Sequence, residues 1–219
     1  VIEIKSDISR PPKDKSLAEF VGIMLGDGHI SFPKQQRIKV SFNSEVDRDY
    51  LFFVEKLFRR LFDSKTIVKH RANEKTSELY LFNRKIIRFI INEVGLVASP
   101  KWERALIPEW VFSKNLERFV LRGYFDTDGC VVSTNNNGTR YPRLEMKVSP
   151  SPMQGQFISI LKKFNFRFGA YQIGKGKIRI QMNGKHQLDM WNHLIGFNNK
   201  KHFSKVAIWE KKGHYTPNR

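Results

Sequence analysis

Two aspartates, Asp27 and Asp128, close two short apolar stretches, "LAEFVGIMLGDG" (17–28) and "RFVLRGYFDTDG" (118–129). Both stretches read as helices that end in an acid, and a helix C-terminus disfavours a carboxylate by a few tenths to about 1 kcal/mol. A local rule broken twice, at equivalent places, points to function. Two carboxylates held close together repel, and one stays protonated unless a cation lies between them. A divalent ion with oxygen ligands removes that conflict. Beside a phosphodiester, such an ion polarises the phosphate, lowers the pKa of an attacking water and stabilises the leaving oxygen. The expected chemistry of the pair is metal-assisted hydrolysis. Asp126 has Leu25 as its counterpart in the first stretch. It reads as a local polar contact or cap, not as a third ligand.

The elements that must bring the two acids together repeat along the chain. An offset of 101 residues places Gly22 on Gly123, Gly26 on Thr127, Asp27 on Asp128, Gly28 on Gly129 and Gly95 on Gly196. Asn83 and Asn183 agree to within one residue. A repeat of this size means two copies of one structural plan. Small residues one helical turn apart let two helices approach more closely than the usual ~8–10 Å. The two acid-ending helices are therefore expected to pack together, with Asp27 and Asp128 side by side at their ends.

Within the first half, "RIKVSF" alternates as a half-buried strand and "DYLFFVEKLFRRLF" carries its apolar residues at helical spacing. Ser44 and Asp47 resemble a capping box at that helix's start. "KTIVKHRA" and "TSELYLF" follow as strands around an "NEK" turn, and "RKIIRFIINEVG" closes the half as a helix capped by Gly95. The second half repeats the plan with "RLEMKVS", "SPMQGQFISILKKF" (Pro152 at a first helical position), "GAYQIG", "KIRIQM" and "KHQLDMWNHLIG". The order per half is helix, two strands, helix, two strands, helix. The expected division is 1–98 for the first repeat, 99–115 for a linker that packs across the joint, 116–197 for the second repeat, and 198–219 for a basic helix and extended tail.

The chain of 219 residues carries 39 Lys and Arg against 21 Asp and Glu, a formal charge of +18. Such a balance points to a polyanionic partner, with nucleic acid first and an anionic membrane second. Strand faces carry the basic residues: Arg37, Lys39 and Ser41; Arg143, Glu145 and Lys147; Lys177, Arg179 and Gln181; and, less regularly, Lys69 and Arg71. Cations on strand faces do not form the amphipathic helix that a membrane surface selects. They suit a sheet laid on DNA, where Lys and Arg meet phosphates or guanine, while Gln181 could read adenine and Glu145 cytosine. RNA is disfavoured, because its deep, narrow major groove does not admit such a sheet.

Other classes find little support. One cysteine, Cys130, excludes a disulfide framework and a multi-cysteine zinc site. The six His form no H-x-x-H or H-E-x-x-H arrangement. No apolar run reaches the ~18–20 residues of a membrane span, and the opening residues lack the charged-then-apolar layout of a secretory signal. A soluble, intracellular protein is expected.

"FVGIMLGDG" and "LRGYFDTDG", with the repeat between them, resemble the two motifs of a single-chain LAGLIDADG homing endonuclease. The resemblance covers roughly residues 15 to 212. It implies an α+β fold: two pseudo-symmetric αββαββα repeats forming a saddle of antiparallel strands, with helices on the opposite face. It also implies a monomer that sits in the major groove of a long double-stranded DNA site and cuts both strands, leaving staggered ends. Magnesium is the usual cofactor, with manganese a substitute and calcium bound without cleavage. Asp27 and Asp128 take the place of the family's metal ligands, with the carbonyls of Gly26 and Thr127 beside them. Lys101 and Lys201 fall where the family often has a basic active-site residue, although strict offset sets His202 opposite Lys101. Two readings of the same fold stay open at this point: a maturase that binds intron RNA, and a non-catalytic DNA-binding regulator.

Overall fold

The structure, a computed structural model, describes residues 10–71 and 73–212; the expected tail falls on residues outside them. Helix α1 (Lys15–Leu25) begins where the Asp14 carboxylate accepts the backbone N–H groups of Ser16 and Leu17 at 2.8 and 3.0 Å. It stops at Leu25, not at Gly28, so Asp27 lies in the turn beyond the helix. Strands β1 (Gly28–Ser31) and β2 (Arg37–Asn43), helix α2 (Arg48–Phe62), strands β3 (Thr66–Arg71) and β4 (Thr76–Leu81), and helix α3 (Arg84–Phe89) follow. Asn83 caps α3, which widens into a π-helical turn (Ile90–Val94) and ends at Gly95 with φ 92°.

The linker carries a short helix α4 (Glu109–Ser113) and is built into the core. Trp110 Nε1 donates to Val94 O at 2.9 Å on the first-repeat side. On the other side Gln156 exchanges two bonds with the Ile107 backbone, at 2.7 and 2.9 Å. Ala105, Ile107 and Val111 are buried between them.

Helix α5 (Glu117–Asp128) then keeps Asp128 as its last residue. Strands β5 (Gly129–Asn136) and β6 (Thr139–Val148), helix α6 (Met153–Lys163), strands β7 (Gly169–Gln172) and β8 (Ile178–Asn183), and helix α7 (Lys185–Leu194) complete the second plan. Helix α8 (Lys200–Lys212) follows. The two plans give two four-stranded antiparallel sheets, ordered β1-β2-β4-β3 and β5-β6-β8-β7. Their apolar faces, Ile38, Val40 and Phe42 in β2 and Ile178, Ile180 and Met182 in β8, are buried as the alternation predicts. Helix α2 lies against β2 and β3, and α7 against β6 and β8.

Helices α1 and α5 pack against each other through their glycines. A Cβ on Gly22 would stand 2.2 Å from Val120 O, and one on Gly123 would stand 2.4 Å from Glu19 O. Carbon contacts settle near ~3.5–4.0 Å, so only glycine lets the backbones meet this closely.

Three local expectations change. Ser44 and Asp47 form no capping box: Asp47 precedes α2 but makes no cap bond with its side chain, whose Oδ1 is taken by Asn199 and Lys201 and whose Oδ2 accepts the Asn43 N–H at 3.2 Å. Pro152 sits at the cap position, one residue before α6. Lys177 precedes β8 and belongs to no strand face; its ammonium lies 5.4 Å from the Trp102 ring centroid.

Candidate active site

The α1–α5 contact delivers the ends of both helices to one place. Gly26, after α1, is so close to α5 that a Cβ there would meet Thr127 Oγ1 at 2.0 Å and Asp128 Oδ2 at 3.3 Å. The Asp27 charge acts on Asp128, and both side chains, each directly before the first strand of its sheet, keep an exposed edge. Protein atoms crowded around Asp128, and then the Asp27 charge, raise its carboxyl to about 7, against the pull of Lys101, Lys201 and Lys177. The same crowding by protein atoms raises Asp27, opposed by Lys201 and Lys101.

Lys101 reaches this place from the linker. Ser99 N donates to Ile30 O at 2.8 Å, and Ile30 N donates back to Ser99 Oγ at 3.2 Å, which docks the linker's start on β1. The Lys101 ammonium then donates to the carbonyls of Met24, Leu25 and Gly26 at 2.9, 2.9 and 2.6 Å. A cation at the partial negative end of α1 offsets the cost that made an acid there surprising. Burial brings the Lys101 pKa down to about 8, although Asp128 and Asp27 both favour its charge. The Gly26 carbonyl, expected beside a metal, accepts one of these bonds from Lys101. Thr127 Oγ1 turns back to the Gly123 and Tyr124 carbonyls at 3.2 and 2.8 Å.

Lys201 plays a different part from Lys101. Its ammonium pairs with Asp47 Oδ1 at 2.9 Å, close enough to the pair for its charge to act on Asp27 and Asp128. His202, opposite Lys101 by strict offset, is fully buried against the Phe125 and Phe197 rings, and burial pushes its pKa well down. Asn199 ties this corner together, with Nδ2 donating to Asp47 Oδ1 at 2.8 Å and to Asp126 O at 3.0 Å. Asp126 is fully buried and accepts the Asn198 N–H at 2.8 Å; burial raises its carboxyl to about 8. It faces inward, and its carboxylate is held by a residue 72 positions along the chain, not by the local contact or cap expected from sequence.

The outward sheet faces hold the basic residues, but each is organised by an acid. In the first sheet Glu78 is 4% exposed. It takes Lys39 Nζ at 2.7 Å, Arg71 Nη2 at 3.0 Å and the Tyr80 hydroxyl at 2.7 Å. Burial alone would raise its carboxyl; the hydrogen bonds from Lys39, Tyr80 and Arg71 outweigh that and hold it at about 2. Arg37 and Lys69 stand over the Tyr80 ring, each 5.6 Å from its centroid, and Ser41 pairs with Glu78 across the strands. In the second sheet Glu145 is 7% exposed. It takes Arg143 and Arg179, both at 3.2 Å, and Gln181 Nε2 at 3.0 Å, while Lys147 lies opposite Arg179. Glu145 and Gln181 are hydrogen-bonded to each other here and are not free acceptor and donor.

Glu78, Tyr80, Asp47 and Asn199 are additions to the residues picked from sequence. Alternation along "TSELYLF" puts Glu78 and Tyr80 on one face of β4, and the pairing with β2 makes it the Lys39 face. The link from Asn199 to Asp47 spans 152 residues and left no local signal.

Among the described residues, no group of three or more His, Cys, Asp or Glu side chains is placed to hold a metal, and no helix is long and apolar enough to cross a membrane. No protein-family profile matches the chain. A replication factor C small subunit from Methanocaldococcus jannaschii is 28% identical over 116 residues, 53% of this chain but only 6% of that protein. Among solved structures, the homing endonuclease I-WcaI bound to its DNA recognition sequence superposes with TM-score 0.58 at 15% identity, covering 87% of this chain and 85% of that one. I-DmoI in complex with DNA and Mn gives 0.52 at 14%, over 83% and 96%. Full-length DUF199/WhiA from Thermatoga maritima gives 0.54 at 16%, over 95% and 64%. At these identities the likeness establishes the fold: the chain has the two-repeat α+β fold of the LAGLIDADG homing endonucleases.

Proposed function

We propose that this chain is a site-specific, double-stranded DNA endonuclease of the homing type, acting as a monomer on a long recognition site and leaving staggered ends. The observation that carries the reading is the convergence of Asp27 and Asp128 at the joined ends of the two helices, where a Cβ on Gly26 would stand 3.3 Å from Asp128 Oδ2; crowding by protein atoms, and then the Asp27 charge, raise the Asp128 carboxyl. An oxygen-only donor set of this kind fits a hard divalent ion, magnesium first, with manganese as substitute and calcium as a non-cleaving ligand. With two acids and, among the described residues, no third grouped with them, the remaining ligands fall to phosphate oxygens and water. Bound there, the ion would supply charge neutralisation at the phosphate and a more acidic attacking water.

The chain's own residues do the rest. Each aspartate serves mainly one strand, because each comes from one repeat (1–98 or 116–197, joined by 99–115). Lys101, held by three carbonyls, fixes the end of α1 and faces the phosphate charge. Lys201, steered by Asp47, brings a second positive charge to bear on both aspartates. The cations of both sheets neutralise backbone phosphates and fix the register on the duplex.

Cleavage of a randomised double-stranded DNA library tests the proposal, run with magnesium, with calcium and with chelator. Magnesium-dependent cuts at one long site are expected, with binding but no cutting in calcium. Specific binding without cleavage in any metal would replace the nuclease with a regulator. Preference for intron RNA over duplex DNA would replace it with a maturase.

A further inference from the structure

The registers make the two sheets comparable residue by residue. Gly28 pairs with Val40, and Gly129 with Met146, so Lys39 and Glu145 occupy equivalent places on β2 and β6. Across the next ladder Lys39 faces Tyr80 and Glu145 faces Gln181, which makes Glu78 on β4 equivalent to Arg179 on β8. Both positions are ion-paired in both repeats: Lys39 with Glu78 at 2.7 Å, Arg179 with Glu145 at 3.2 Å. The base sits on the inner strand in one repeat and on the next strand out in the other.

We infer that this is one ion pair in opposite polarity, and that the reversal makes the two halves of the DNA site chemically unequal; the inference rests on the DNA-binding reading above. In each pair the acid is buried and the cation is the exposed partner. Side-chain exposure is 23% for Lys39 against 5% for Glu78, and 37% for Arg179 against 9% for Glu145. The acid is therefore a positioning residue, and the cation is the group that DNA meets. Because the cation moves to the diagonal position on the neighbouring strand, the attachment points of the two donors are displaced from twofold symmetry by about 7–8 Å. That exceeds the ~3.4 Å rise of one base pair. A donor seeking guanine O6 and N7 thus meets non-equivalent base pairs in the two half-sites. A second difference lies alongside: Gln181 stands where the first repeat has Tyr80.

The test is to give the second sheet the polarity of the first with Glu145→Lys plus Arg179→Glu. Targets of parent and variant are selected from one randomised DNA library, and thermal unfolding is followed in parallel. The expected result is a shift of about ten-fold or more in base preference, confined to the second half-site and moving it toward the mirror image of the first. An unchanged target, or equal loss in both half-sites, overturns the inference while leaving the DNA reading intact. If the parent selects no duplex sequence at all, the DNA reading fails and takes the inference with it. If the double variant does not fold, Glu145→Gln carries the test, since it keeps the volume and releases Arg143 and Arg179. Relaxed preference in the second half-site alone supports the inference, and an unaltered target overturns it.

Discussion

Placing a methyl group between α1 and α5 probes the contact on which the site depends. In Gly123→Ala the new Cβ would stand 2.4 Å from Glu19 O and 3.0 Å from Ile23 N. Ordinary carbon contacts lie near ~3.5 Å, so the helices must part by about 1 Å. Overpacking of this kind costs ~1–3 kcal/mol, and a clash with backbone, which cannot rotate away, belongs at the upper end. Alanine returns about 1 kcal/mol of helix propensity, leaving a net loss near ~2 kcal/mol. For a chain of this size that lowers Tm by roughly 4–8 °C. Gly155, exposed in α6, is the control, since a Cβ there meets nothing within 4 Å. Gly155→Ala should raise Tm by a few degrees through the same propensity gain. The two variants thus carry opposite signs in one calorimetric assay. Separating Asp27 from Asp128 by about 1 Å should also cut the cleavage rate by roughly 10²-fold. A Gly123→Ala protein that melts at or above the parent would refute the close contact.

Two further outcomes follow from titration. Asp126, with its carboxyl raised to about 8, binds a proton that its unfolded form, near 3.8, gives up. The stability it contributes is complete below about pH 4 and is lost as pH rises through 8, at up to ~1.4 kcal/mol per unit. Asp126→Asn keeps the neutral form throughout, so denaturant midpoints should show it gaining on the parent from pH 5 to pH 8; a constant difference would contradict this. Protons and metal compete for Asp128, whose carboxyl is raised to about 7 in the metal-free protein. Manganese affinity measured by titration should hold level above pH 7 and fall by up to about ten-fold per unit below it. Equal affinity at pH 5.5 and 7.5 would argue against Asp128 as a ligand.

Much of this arrangement was legible in the sequence because it rests on short periods and on the repeat. The Gly22–Gly123 offset announced two equivalent helices, and the alternation of "RIKVSF" and "KIRIQM" announced which faces are buried. Local signals failed where a distant partner competed for a side chain. Asp47 looks like a helix cap beside Ser44, yet its Oδ1 is claimed by Asn199 and Lys201 and its Oδ2 by the Asn43 N–H, and charge-assisted bonds of the first kind outweigh a marginal cap. Glu145 looks like a base reader, but two arginines and Gln181 converge on it once β6 and β8 pair. The partition of the lysines was hidden for the same reason. Lys101 and Lys201 are alike in sequence position, but only the first finds a helix end with open carbonyls.

Strand-resolved cleavage of the selected site tests the central claim most directly. Parent, Asp27→Asn and Asp128→Asn are compared in magnesium on a duplex labelled on both strands. The account predicts double-strand cuts by the parent, and in each variant a loss that falls first on one strand, the opposite strand for each aspartate. Full cutting of both strands by either variant would contradict the assignment of the two aspartates as the groups that hold the metal.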